Sequence, residues 1–488
     1  MSRGRGERTA PPPQEPQRQA LRHVLRRGLV TPGEAWLRYF ALGGTGGPDE
    51  LEDFVEGADL PALEGDLLAR AVNERLEERL GTLRVPYSRP MRTRTPPAGA
   101  LRALATVLDG SGRALAGEFG VVVAEAAEAL DVEAVVYVVD YEQRVLVPLD
   151  PPRAQRHREP LSVAGTLPGR AFRRLQTQTA VTEDRPRWWI PLLDGAERLG
   201  VLDVVPATPD DLSDPVLRGH CELLARQVAH LVGAVDRHGD TVDLVRRGPH
   251  RTEAAELVWR LLPPLTAGTG TFTVSGLLEP ANDVGGDVFD YALSADQVDL
   301  ALFDAMGHSL GAGLIATAAY RTARRGGHSL FAQASAVDDA VGRHFPEALA
   351  TGVLAHVDLA TGTLRYVCAG HPEPLVLRGG RVVLDLPDGR RTPFGLPTGE
   401  LVVGEAQLEP GDWLVLHTDG VVEARDAAGE FFGHDRLVDF LERAVAAGFG
   451  PAETVRRLVE AILDHQDGVL QDDATVLLAR WQREPGPS

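Results

Sequence analysis

Residues Val298 to Ala316 read VDLALFDAMGHSLGAGLIA, and the chain's chemistry starts there. Val298 to Phe303 is an apolar run of strand length. It ends in Asp304, then Ala305-Met306-Gly307-His308, and a small-residue helix follows with Leu310, Leu314, Ile315 and Ala318 at helical spacing. A buried strand that delivers a carboxylate into a Gly-rich turn places a charge where it is costly unless it meets a cation or water. One such acid alone is most simply a cap for the next helix. The device recurs, however. DWLVLH (412–417) ends in Thr418-Asp419-Gly420; Gly285-Gly286-Asp287 opens VFDY, with a second acid at Asp290; and Gln471-Asp472-Asp473 leads into ATVLLARW. Acidic strand ends spread over the last half of the chain could converge. Hard divalent cations such as Mg²⁺ and Mn²⁺ take oxygen ligands of this kind. The Cys or paired-His spacing of a zinc site does not accompany them.

Five motifs stand in order: GGDVFD (285–290), DAMGHS (304–309), TGTLRYVCAGHPEP (361–374), PGDWLVLHTDGVVEA (410–424) and DDATVLL (472–478). Together, over residues 270–482, they resemble the catalytic domain of PPM-type serine/threonine phosphatases, protein phosphatase 2C-like, in the bacterial class of the sporulation stage II E protein. Any one motif is weak; the ordered set is specific. The resemblance implies an α-β-β-α sandwich and two divalent cations, Mn²⁺ or Mg²⁺. It implies that Asp304 bridges both ions and Ala305 offers its backbone carbonyl. Asp419 and Asp472 would hold one ion and Asp287 the other, which makes Asp304, Asp287 and Asp419 the catalytic acids. Asp290 and Asp473 are expected as outer supports.

The chemistry needs such a set. Phosphomonoester hydrolysis requires a strong nucleophile near pH 7 and neutralisation of the phosphate, and two cations about 3.5–4 Å apart supply both. Clustered carboxylates repel one another without metal, so the metal-free site is expected to be loose or to hold raised pKa values. Met306 stands where some branches of the resembled family carry a His, which leaves the leaving-group acid open between water and His308. Ser309 replaces the usual Gly. Asn282 is expected to make a turn rather than to position a metal water. His371 is expected to orient its loop through hydrogen bonds rather than to contact substrate.

The remaining chain must position this domain. With 488 residues, two or three domains are expected. The formal charge of −20 disfavours a nucleic-acid binder. Two cysteines, Cys221 and Cys368, far apart, offer no disulfide framework and fit a reducing cytosol. No apolar stretch reaches membrane-span length, and the N-terminus lacks a signal-peptide core, so a cytoplasmic protein is expected. The organisation reads as α/β multidomain. A tail over 1–18 is Arg- and Pro-rich and expected to be disordered. A helical module of unknown role follows over 19–83, then an Arg- and Pro-rich linker.

Residues 100–237 show helix, hairpin, helix, hairpin and exit helix, an order that resembles a GAF sensor domain of α+β type. Its clearest part is the hairpin IPLLDGAERLGVLDV, with a turn at Asp194-Gly195. Trp188 and Trp189 read as core rather than as the lining of a pocket for a small-molecule or protein ligand. Residues 238–265 read as a linker helix. In the resembled family such a helix joins sensor to phosphatase and often pairs with a second subunit in a homodimer; a packed monomeric linker is the equal alternative. The class resemblance further implies a phosphorylated anti-anti-sigma-type protein as substrate, with activity controlled by the sensor. Two other readings share these residues: a catalytically degenerate regulatory binding protein, against which the intact acids argue, and a metal hydrolase of small phosphate esters.

Overall fold

A computed structural model describes residues 14–42, 44–80, 98–111, 118–150, 158–182, 185–236, 240–247, 259–280, 286–305, 310–396 and 402–482. The chain divides into two compact units, Met1–Ala98 and Gly99–Ser488.

The first unit is helical: Glu15–Arg26, Pro32–Ala41, Pro48–Glu56 and Ala62–Leu80. The first three helices carry a proline in their first turn, where the missing N–H would have had no partner anyway. Thr31 accepts the Glu34 N–H while Glu34 accepts the Thr31 N–H at 2.9 Å, a reciprocal cap. Leu21, Val24, Tyr39, Phe54, Leu68 and Val72 form its core. The helical part begins earlier than the composition predicts. Gln17 and Arg18 lie one turn before Leu21 and on the same inward face, so they are buried, and Gln17 Nε2 donates to Asp66 at 3.1 Å.

In the second unit, helix Phe119–Glu128 precedes a first sheet. Its strands are β1 (Val132–Val139), β2 (Val145–Pro148), β3 (Leu161–Ser162), β4 (Gln178–Thr182), β5 (Arg185–Asp194) and β6 (Glu197–Pro206), in antiparallel order β3-β2-β1-β6-β5-β4. Helix Leu167–Arg174 sits between β3 and β4, and helix Pro215–Asp236 follows β6. Both expected hairpins are present. The β5–β6 turn uses Gly195 at φ 61°, a conformation that suits glycine. Side-chain alternation on β5 sends Trp188 into a core with Leu224 and Val228 of the long helix, and Trp189 to the opposite face with Phe172. Both tryptophans are core residues. The expected linker helix over 238–265 is only partly described: the long helix ends at Asp236, a short helix spans Thr241–Arg246, and residues 248–258 lie outside the described residues.

The C-terminal part has β7 (Thr266–Gly268), β8 (Phe272–Glu279), β9 (Val288–Leu293), β10 (Gln297–Ala305), β11 (Ala350–Asp358), β12 (Thr363–Ala369), β13 (Leu375–Arg378), β14 (Arg381–Asp385), β15 (Arg390–Arg391), β16 (Gly404–Gln407), β17 (Trp413–His417) and β18 (Ala474–Trp481). One sheet runs β15-β12-β11-β10-β9, with β16 also on β12; the other runs β14-β13-β17-β18-β8-β7. Strand β10 shows why its sequence is a continuous apolar run. Leu300 and Leu302 face a core shared with Leu277, Val415 and Leu477 of the other sheet, while Ala301 and Phe303 face Ala316 and Tyr320 of helix Leu310–Arg325. Helix Leu330–His344 packs on the same outer face through Ala334 and Val337. Helices Gly433–Ala446 and Pro451–His465 add Leu437, Leu441, Leu458 and Ile462 to the core of the second sheet.

Candidate active site

Two antiparallel pairings bring the acids to one end of the two sheets. Phe303 of β10 lies opposite Val288 of β9, so Asp287, just before Val288, comes beside Asp304. His417 of β17 lies opposite Val476 of β18, so Thr418-Asp419 and Asp472-Asp473 leave the second sheet at the same end. Hydroxyls then tie the two sheets together. Asp287 Oδ2 accepts from Thr418 Oγ1 at 2.9 Å and from Thr475 Oγ1 at 2.6 Å, and the Thr475 N–H donates to Thr418 Oγ1 at 3.0 Å. Two glycines permit the approach. A Cβ on Gly286 would stand 2.3 Å from the Ala305 carbonyl oxygen, and one on Gly420 would stand 1.9 Å from that of Asp473. Any side chain at either position would push the acidic segments apart.

The electrostatics are those of carboxylates without a cation. Asp287 is 2% exposed, and burial raises its pKa well above the usual range, helped by Asp304 and Asp473 and opposed by the two threonine hydroxyls. Asp304 is pushed up to about 7 by burial and by Asp419, Asp472 and Asp473. Asp419 is raised by burial, Asp472 and Glu423. The charges acting most strongly on these three groups are other carboxylates. Asp473, expected as an outer support, acts electrostatically on both Asp287 and Asp304. Among the described residues, no three His, Cys, Asp or Glu groups are drawn together tightly enough to hold an ion as they stand.

The donor set still fits hard divalent cations. It is oxygen-only, the charges acting most strongly on Asp287 and Asp304 are other carboxylates, and the Ala305 carbonyl oxygen faces the Cα of Gly286, where a side chain would stand 2.3 Å away.

Asp290 departs from expectation. It is 2% exposed and pairs with Arg321 Nη2 at 2.9 Å and Arg324 Nη1 at 3.2 Å, one turn apart on helix Leu310–Arg325. Those partners turn it away from the acidic end, so it is a strut between β9 and the helix.

His371 does orient its surroundings. Its Nδ1 lies 2.9 Å from Thr351 Oγ1, and that hydroxyl reaches toward Asp304 Oδ2 at 3.5 Å. Burial lowers the His371 pKa to about 3 and that of His417 to about 4, so both rings are neutral at pH 7. Asn282, Gly285, Met306, Gly307, His308 and Ser309 lie outside the described residues. Sequence reasoning gave no role to Thr351, Thr418 or Thr475. For the last two a signal was present, since both are fixed letters of the TDG and DDxT motifs.

Residues 294–482 match the family model of Stage II sporulation protein E (SpoIIE). Among curated proteins, Protein IcfG of Synechocystis sp. is 27% identical over 126 residues, which is 26% of this chain and only 19% of that relative's length. Among solved structures, the RsbU and RsbW domains of a Mycobacterium tuberculosis protein are similar at 24% identity and a TM-score of 0.40, covering 45% of this chain and 63% of that one. The SiaA-PP2C domain of Pseudomonas aeruginosa is similar at 24% identity and a TM-score of 0.37, covering 43% and 85%. The PP2C phosphatase domain and regulatory fragment of SpoIIE from Bacillus subtilis stands at 22% and 0.36, covering 44% and 65%. The family-model match spans well under half of this chain, and the chain covers only 19% of the curated relative's length and 63% of the first solved structure's chain.

Proposed function

We propose that this chain removes phosphate from phosphoserine or phosphothreonine of a regulatory protein, using two divalent cations, Mn²⁺ or Mg²⁺, under the control of a GAF-like middle domain. The observation that carries the reading is the convergence of Asp287, Asp304, Asp419 and Asp472-Asp473 from two sheets, with burial and neighbouring carboxylates raising the pKa values of Asp287, Asp304 and Asp419. Asp287, Asp304, the Ala305 carbonyl, Asp419 and Asp472 would hold the ions. When bound, such ions supply Lewis acidity toward the phosphoryl group and its attacking water.

The chain's own groups do the positioning. Thr418 and Thr475 both donate to one Asp287 oxygen, Oδ2, and so fix the orientation of the carboxylate. Asp472 is exposed and Asp419 half-buried, so the cluster opens to solvent on their side, where a phosphorylated side chain can arrive. His371 and His417 are neutral and buried and do not serve as proton donors. The proton for the leaving oxygen falls to solvent or to His308. The layering of helices, two sheets and helices supports reading residues 270–482 as an α-β-β-α sandwich, and the order of β1–β6 with its helices supports a GAF-like sensor over 100–237. The anti-anti-sigma substrate follows from the resemblance to the sporulation class. A phosphate-release assay with Mn²⁺ on a phosphorylated anti-anti-sigma protein, beside a generic phosphoester, tests this. Preference for the protein supports the reading; equal turnover of any small ester contradicts it.

A further inference from the structure

Among the described residues, two ion pairs join the middle domain to the phosphatase domain, and both lead to the Asp472-Asp473 turn. Arg198 on β6 is 5% exposed; its Nη1 lies 3.3 Å from Glu453 Oε2, and its Nη2 donates to the Ala452 carbonyl at 2.9 Å. Nη2 also donates to Gln143 Oε1 in the β1–β2 turn, and the guanidinium lies over the Phe172 ring at 4.7 Å. Glu453 stands in the first turn of helix Pro451–His465, where an acid suits the helix dipole, and it is also held by Arg456 at 2.9 Å and Arg457 at 2.8 Å.

That helix is about 22 Å long at 1.5 Å per residue, and it buries Val455, Leu458, Val459 and Ile462. Its far end is locked. The Gly468 N–H donates to the Leu463 carbonyl at 2.8 Å, and the Gln466 and Gln471 amides both donate to the Arg425 carbonyl, at 3.5 and 3.2 Å. Asp472 follows at once.

The second pair starts one residue from Gln143. Arg144 Nη2 lies 2.8 Å from Glu279 Oε1. Glu279 ends β8 and sits opposite Ala474, the residue after Asp473. The turn that presents Gln143 and Arg144 is itself fixed, because Asp140 Oδ1 accepts the N–H groups of Arg144 at 2.7 Å and Val145 at 2.9 Å. One turn of the middle domain thus reaches both sides of the Asp472-Asp473 segment, through Glu453 and its helix on one side and through Glu279 and β8 on the other.

We propose that Arg198 and Arg144 are positioning residues for the acidic cluster, supplied by the middle domain to hold the Asp472-Asp473 turn in place. The proposal rests on the reading of that cluster as the metal-binding set. Pulling the domains apart would strand the buried Arg198 guanidinium, since Glu453 would keep Arg456 and Arg457, and would leave Glu279 without Arg144, so helix Pro451–His465 follows the middle domain when it shifts. This gives a physical path from sensor to site that does not pass through residues 238–265.

The test uses the full-length chain and a charge swap at the partly exposed pair: Arg144→Glu, Glu279→Arg and the double variant, with Arg198→Met alongside. Two quantities are read: hydrogen–deuterium exchange of residues 466–474 in metal-free protein, and the Mn²⁺ dissociation constant by calorimetry. Each single variant should raise exchange in that segment and weaken Mn²⁺ binding about tenfold, as lost supporting contacts do. The double variant should recover both to within about twofold, which a loss of general stability would not do. Folded single variants with unchanged exchange, or a double variant no better than the singles, would overturn the proposal. A wild-type protein that binds no Mn²⁺ would instead sink the metal reading, and the exchange comparison would still decide the positioning.

Discussion

Two buried acids three residues apart, Asp287 just before strand β9 and Asp290 within it, meet opposite fates. Asp290 pairs with the chain's own cations, Arg321 and Arg324. Asp287 is equally buried but meets two hydroxyls and further carboxylates. The chain compensates Asp290 with its own arginines; on the proposed reading a bound divalent cation compensates Asp287. The two acids differ in their partners rather than in their burial.

The strongest way to break this comparison is Asp304→Asn. The amide keeps the shape but not the charge that would be shared between both ions. Phosphate release at saturating Mn²⁺ should fall at least about 10³-fold, roughly 4 kcal/mol of barrier, with circular dichroism unchanged. Retention of most activity by a folded variant would remove Asp304 from the site. Asp290→Asn should do the reverse. It leaves two arginines facing a neutral group and should cost on the order of 3 kcal/mol in denaturant unfolding, while folded protein keeps its Mn²⁺ dependence. A changed metal dependence there would erase the distinction between the two acids.

The next effect concerns pH. His371 and His417 have folded pKa values of about 3 and about 4, below the value of about 6.5 in an unfolded chain. The unfolded state therefore binds more protons, so their contribution is fully present above pH 6.5 and lost progressively as pH falls toward 3–4. Asp304 and Asp287, whose carboxyls are raised, gain stability over the same fall in pH, so the comparison is between unfolding titrations of wild type and His371→Gln: from pH 7 to pH 5 the wild type should lose on the order of 2 kcal/mol more than the variant. An identical pH dependence in the two proteins would mean that the His371 ring is not buried neutral. The smallest expected effect is Thr475→Val, which removes one hydroxyl from Asp287. Mn²⁺ affinity measured by calorimetry should drop about tenfold with little change in unfolding midpoint. Unchanged affinity would leave Thr475 as packing alone.

Much of this was legible in the sequence, for physical reasons that differ by element. The run VDLALF reads as a strand because both of its faces are buried, and helix Pro451–His465 reads as a helix because its apolar residues keep one face. Acids at strand ends were visible because a charge after an apolar run needs an explanation. The partners of those acids were not visible. Thr418 and Thr475 lie 131 and 188 residues from Asp287, and no local period links them. Asp290 and Asp287 look alike in GGDVFD; only the packing of helix Leu310–Arg325, which brings Arg321 and Arg324 over β9, tells them apart.

The central claim is that the acidic end works only with divalent cations. The most direct measurement is phosphate release from a phosphoserine protein by the full-length chain in Mn²⁺, then in excess chelator, then after Mn²⁺ is restored. Activity should vanish with the chelator and return with the ion. Turnover that continues unchanged in excess chelator would contradict the account.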